Sequence, residues 1–135
     1  MADLGALIRL HKHELDEKRR VLGELYGEMA LLERERRDLE RAFEQEKEAV
    51  DRMGDEIPFT FAGYADTVRR QRQEIDEREA VMEKAIERAK ESLMETFAEL
   101  KKYEMTQAER DRLEAEERMI KENAAMDAIG LEGFR

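Results

Sequence analysis

The sequence predicts an all-α protein in which two long helices form an antiparallel coiled-coil hairpin. Three observations predict it. Charged residues make up 44% of the 135-residue chain, against about 25% in an ordinary soluble domain. Only 41% is apolar and 6% aromatic, too little to fill a three-dimensional core but enough for a narrow seam. The first fifty residues carry a heptad repeat, and the chain's single proline, Pro58, comes just after that repeat ends.

Helix one is read over residues 3–53. One position set is Ile8, Leu15, Leu22, Met29, Arg36, Phe43 and Val50. The set four residues earlier is Leu4, His11, Lys18, Leu25, Leu32, Leu39 and Glu46, followed by Met53. Six of the first seven are apolar, as are five of the second eight. A seven-residue step falls slightly short of two helical turns, so such a stripe winds left-handed around a partner helix.

A turn is read over residues 54–61. Gly54 just past the periodic segment is a helix stop signal, and Pro58 prevents continuation. Phe59, Phe61 and Tyr64 follow closely. Their bland reading is a hydrophobic plug for the hairpin tip; the other is a docking surface.

Helix two is read over residues 62–126 from Val68, Ile75, Met82, Ile86, Ala89, Leu93, Phe97 and Leu100. The step from Leu93 to Phe97 to Leu100 shifts the phase and reads as a stutter. Gln71 and Arg78 read as polar gaps in the seam. Thr106 and Glu109 have capping-box spacing, by coincidence within a helix or at a restart. Gly130 and Gly133 are expected to end the helix and leave residues 127–135 as a mobile tail. A short turn makes the helices antiparallel neighbours. Facing residue numbers then sum to about 115 on that geometry, which places Leu25 near Lys90, His11 near Glu104 and Leu4 near Asp111. Helix two outruns its partner, so residues from about Leu113 onward are expected to have nothing to pair with.

Several functions drop out. No run of about 18 apolar residues could span a membrane, and the opening residues lack an apolar signal core. Without cysteine there are no disulfides, thiolate nucleophiles or cysteine–zinc sites. A net charge of −10 is repelled by nucleic acid and anionic lipid. The basic clusters at Lys18-Arg19-Arg20 and at Arg34 with Arg36-Arg37 have acidic neighbours and read as solvated faces. His11 and His13 are two apart, so on a helix they diverge and make no metal pair. The carboxylates lack a dry pocket to shift them, and no phosphate-binding glycine loop is present. No catalytic, cofactor or metal site is expected, and the chain is read as a non-enzyme.

What remains is recognition. Beyond the reach of helix one, Met119, Ile120 and Ala124 keep a helical apolar stripe, extended by Met126, Ile129 and Leu131. A stripe without a partner in its own chain suggests one in another.

The opening Leu7-Ile8-Arg9-Leu10-His11-Lys12-His13-Glu14-Leu15-Asp16-Glu17-Lys18-Arg19-Arg20 resembles the start of the flagellar export protein FliJ. Phe97-Ala98-Glu99-Leu100-Lys101-Lys102-Tyr103-Glu104 is similar to a segment late in the second helix of alphaproteobacterial members. The resemblance implies a stalk-like component of the flagellar type III export apparatus, cytoplasmic and peripheral to the inner membrane at the flagellar base. It implies three partners: the hexameric export ATPase, the cytoplasmic domain of the export-gate membrane protein, and export chaperones. No nucleic acid and no direct membrane insertion are implied. The end bearing both termini would face the ATPase, through Leu7, Ile8, Leu10, Tyr103, Met119, Ile120 and Ala124. The turn-proximal half would face the gate, through Phe43, Phe59, Phe61 and Tyr64. One departure is the stretch after Tyr103, with nine acids and five bases. The competing reading is a structural coiled coil that homodimerises into a four-helix bundle, with Lys18, Arg36 and Glu46 specifying register.

Overall fold

The computed structural model describes residues 4–54 and 59–133; residues 55–58, on which most of the expected turn falls, and the side chain of Phe59 lie outside them. The chain is all-α, with α1 over Gly5–Arg52 and α2 over Phe59–Glu132 packed against each other. Among the described residues there is no strand.

Each helix is followed by a glycine, but only Gly54 takes a conformation that needs one. The N–H of Met53 donates to the Val50 carbonyl (3.0 Å) and that of Gly54 to Asp51 (3.4 Å), tightening the last turn of α1. Gly54 takes φ +70°, the left-handed conformation that glycine enters without a Cβ clash. At the other end, α2 continues to Glu132, beyond the end read near residue 126. The Gly133 N–H closes it on the Ile129 carbonyl at 3.0 Å. Gly130 is absorbed: one glycine inside a helix costs only about 1 kcal/mol relative to alanine, and Ala124, Ala125, Met126 and Ala128 before it are strong helix formers.

The packed residues fall into two compact units, Met1–Asp16 with Met94–Arg135 (unit one) and Glu17–Leu93 (unit two). In unit two the helices run antiparallel. Arg36 meets Glu79, Glu40 meets Arg72, Phe43 meets Phe61 and Tyr64, and Lys18 reaches the Ser92 carbonyl. Its buried apolar residues are Leu32, Val50, Val68, Ile75 and Ile86. Burying each such side chain is worth about 1.5–3 kcal/mol. Unit one buries Leu15, Leu100, His11 and Thr96.

Along α1 the covered positions are those of the two heptad sets, with Gly5 added. Glu46 and Met53 are the exceptions, and both are exposed. Along α2 the sequence reading needs two corrections. Thr96 is buried at 6% exposure while Phe97 is 36% exposed, so the inward step after Leu93 is Thr96, then Leu100. From Val68 to Arg110 one set of covered positions alternates steps of four and three throughout, with Ala85, Ser92 and Glu104 covered beside it, and that set has no stutter. For the same reason Arg72 and Glu79, rather than Gln71 and Arg78, take the polar places in the seam. A threonine with a partner of its own can occupy an inward position that a hydropathy reading assigns to the adjacent ring.

Candidate functional site: two helix ends and a stripe

The apolar end of unit two is built around Phe43. Its ring lies 6.1 Å from that of Phe61 and 6.2 Å from that of Tyr64, and the latter two are 6.4 Å apart. The Arg72 guanidinium caps the group at 4.8 Å from the Phe43 centroid, a cation–π contact. Arg72 also clasps both oxygens of Glu40, with Nη2 to Oε2 at 2.6 Å. Three of the four residues read as turn-proximal contacts therefore form one half-buried cluster. The fourth, Phe59, has its side chain outside the described residues.

Arg36 stands in the middle of the seam. It donates to both oxygens of Glu79, at 3.0 and 3.2 Å, and to Asp76. Bidentate charge-assisted bonds of this kind hold the guanidinium firmly protonated, the bond to Glu79 contributing most. Lys18 donates to the Ser92 carbonyl at 3.3 Å. Two polar seam residues that could have set the register of a dimer are thus satisfied inside unit two.

In unit one, His11 is the residue with distinctive chemistry. Nδ1 lies 2.8 Å from the Leu7 carbonyl and Nε2 lies 3.1 Å from Glu99 Oε2. Both neighbours are acceptors, and a neutral imidazole has one N–H. The imidazolium alone satisfies both. The Leu7 carbonyl, then Glu99 and Glu14, raise the His11 pKa above its ordinary 6.5, with burial opposing them. The hairpin register read from the sequence predicts Glu104 beside His11. Tyr103 instead lies against the imidazole, with centroids 5.0 Å apart. Glu104 bonds Lys101 at 3.2 Å. With that place filled, Nε2 reaches Glu99.

The residues read as the ATPase-facing end divide by exposure. Leu7 and Leu10 are exposed; Ile8 and Tyr103 are half-buried. Met119, Ile120 and Ala124 are exposed, as is every residue of α2 in unit one from Asp111 on. Among the described residues of unit one, nothing covers this stretch.

The sequence reading missed how far the apolar stripe reaches. Met94, Ala98, Met105, Ala108, Ala115, Met119, Met126 and Ile129 keep alternating steps of four and three, with Lys101, Arg112 and Glu122 in the gaps. All are exposed. The stripe lies on the side of α2 away from Leu100 and Tyr103. Where it begins, Phe97, Ala98, Lys101, Lys102, Met105 and Thr106 line a shallow hollow of about 550 Å³. The signal was present in the methionine spacing. It was hidden because Phe97, the largest apolar residue nearby, drew the heptad frame one residue out of phase. Arg112 is tied to Glu109 and Glu116 on its own helix, each at 2.6 Å, which keeps its charge from breaking the stripe.

Among the described residues, no group of three histidine, aspartate or glutamate side chains could hold a metal ion. No described helix is long and apolar enough to cross a membrane. The chain matches no protein-family model, no curated protein and no solved structure.

Proposed function

We propose that the chain is a flagellar export protein of the FliJ family, a stalk-like adaptor that binds the export ATPase through unit one. The supporting residues are the opening Leu7–Arg20 segment and the Phe97–Glu104 segment, which resemble that family. The observation that carries the reading is the bare stripe on α2. Met119, Ile120, Met126 and Ile129 are each at least 60% exposed. An exposed apolar row of this length contributes little to folding, yet burial on a partner supplies about 1.5–3 kcal/mol for each large side chain. On this reading the stripe docks on the ATPase ring, and the exposed Leu7 and Leu10 of α1 supply further contacts. Phe43, Phe61 and Tyr64 present the gate-facing surface. The chain would then act at the flagellar base, linking ATPase, gate and export chaperones without chemistry of its own.

The test is Met119→Ser with Ile120→Ser in the full chain, measured with the purified export ATPase. Stimulation of ATP hydrolysis and co-purification are expected to fall sharply while the helical content stays unchanged. Undiminished stimulation would move the contact elsewhere, and a collapse of the fold would mean that the stretch is packed.

The bundle alternative predicts a dimer by sedimentation. It loses two of the three polar residues that were to set its register, since Arg36 and Lys18 are engaged within unit two.

A further inference from the structure

Unit two carries a second apolar surface that the export reading does not use. Leu31 and Val81 are 64% and 68% exposed. They flank a groove of about 500 Å³ floored by Leu32 and Met82. Leu31 and Leu32 come from α1 and Val81 and Met82 from α2, so the groove runs along one side of the seam. The furrow between two packed helices is the geometry a third amphipathic helix fills in a three-stranded coiled coil.

The charges around it are one-sided. Glu28, Glu35, Glu77 and Arg78 complete the lining. Arg78 is taken by Glu35 at 3.2 Å. Glu28 and Glu77 have no ion pair among the described residues, nor has Glu74 in the adjoining hollow, which shares Glu35 and Arg78. The free charge at the rim is therefore negative. A second copy of this chain suits it poorly: the net charge is −10, and the exposed stretch 111–133 has seven acids and three bases. We infer that the groove bordered by Leu31 and Val81 docks a basic amphipathic helix of another protein. Its apolar face sits between Leu31 and Val81, and its lysines or arginines meet Glu28 and Glu77. The inference stands apart from the export reading, since it concerns other residues and another partner chemistry.

The experiment titrates the full chain with a labelled peptide of about four helical turns. The peptide has leucines at i, i+3, i+4 and i+7 and lysine elsewhere; a second peptide has glutamate in place of lysine. Fluorescence anisotropy is expected to show saturable binding of the lysine peptide alone. Leu31→Ser with Val81→Ser is expected to weaken it at least about tenfold, which is roughly 1.4 kcal/mol. Glu28→Lys with Glu77→Lys is expected to do the same. Glu44→Lys with Glu48→Lys changes the net charge equally at exposed positions away from the groove, and is expected to have a much smaller effect. Circular dichroism melts check that each variant folds; the serine pair, at exposed sites, is expected to. Equal losses from both charge pairs would reduce the binding to general attraction and overturn the proposal. So would unchanged binding in the serine variant, or a dimer in sedimentation that the serine pair dissolves.

Discussion

From Val68 to Leu93, α2 buries Val68, Ile75 and Ile86 and half-buries Met82, Ala89 and Leu93. From Asp111 to Glu132 the same helix carries Leu113, Met119, Ile120, Met126, Ile129 and Leu131, and all are at least 47% exposed. Both stretches are continuous helix with apolar residues at helical spacing. In the first, the apolar side chains have α1 opposite them; in the second, nothing among the described residues of unit one covers them. Amphipathic spacing therefore does not say whether a stripe is core or contact surface. It says only that a partner fits.

The largest expected effect tests the covered side of that comparison. Leu32→Ala, at 4% exposure, should lower the unfolding free energy by about 2–4 kcal/mol in a denaturant titration. Ile75→Ala should fall in the same range. A loss under about 0.5 kcal/mol would put the seam of unit two on another face.

Arg36 comes next. Arg36→Ala leaves Glu79, which is half-buried, and Asp76 without their cation. Thermal unfolding should drop measurably, by less than for Leu32→Ala, and the gap to the wild type should narrow in high salt. A loss independent of salt would assign the residue's role to packing of its methylene stem.

His11 gives unit one a pH signature. Its folded pKa is raised, so its contribution is fully present below the ordinary value of 6.5 and is lost as pH rises through the higher folded value. The stability difference between the wild type and His11→Phe should shift against the wild type across that window. NMR titration of the His11 ring should give a midpoint above 6.5. A midpoint at or below 6.5 would mean that Nε2 and Glu99 do not share a proton in solution.

The smallest effect is expected on the bare side. Met119→Ser with Ile120→Ser should change stability by no more than about 0.5 kcal/mol. A larger loss would show that the stretch from Asp111 is packed after all, and the contrast between the two parts of α2 would disappear.

Much of this architecture was legible in the residues. On α1 the two heptad sets named the covered positions other than Gly5 (His11, Lys18 and Arg36 among them), though Glu46 and Met53 stand exposed, because helical spacing acts on position whatever the side chain. The stop at Gly54 was legible because only glycine enters the left-handed region cheaply. The phase of α2 at Thr96 was not. Hydropathy ranks Phe97 above a threonine, and the partner that Thr96 finds in the fold is invisible in one dimension. The Glu99 partner of His11 was hidden too, since it depends on Tyr103 filling the place opposite the imidazole.

By itself, the sequence determined that the chain is two long helices, that α1 has one apolar face, and that no cysteine chemistry operates. These follow from composition and from spacing along a helix, which are properties of one chain segment at a time. The tertiary structure decided which apolar residues are core and which are bare. It also decided that Arg36 and Lys18 are satisfied within unit two, and that Leu31 and Val81 meet across a groove with an acidic rim. Each of these depends on what another segment places opposite, and burial and ion pairing are relations between segments.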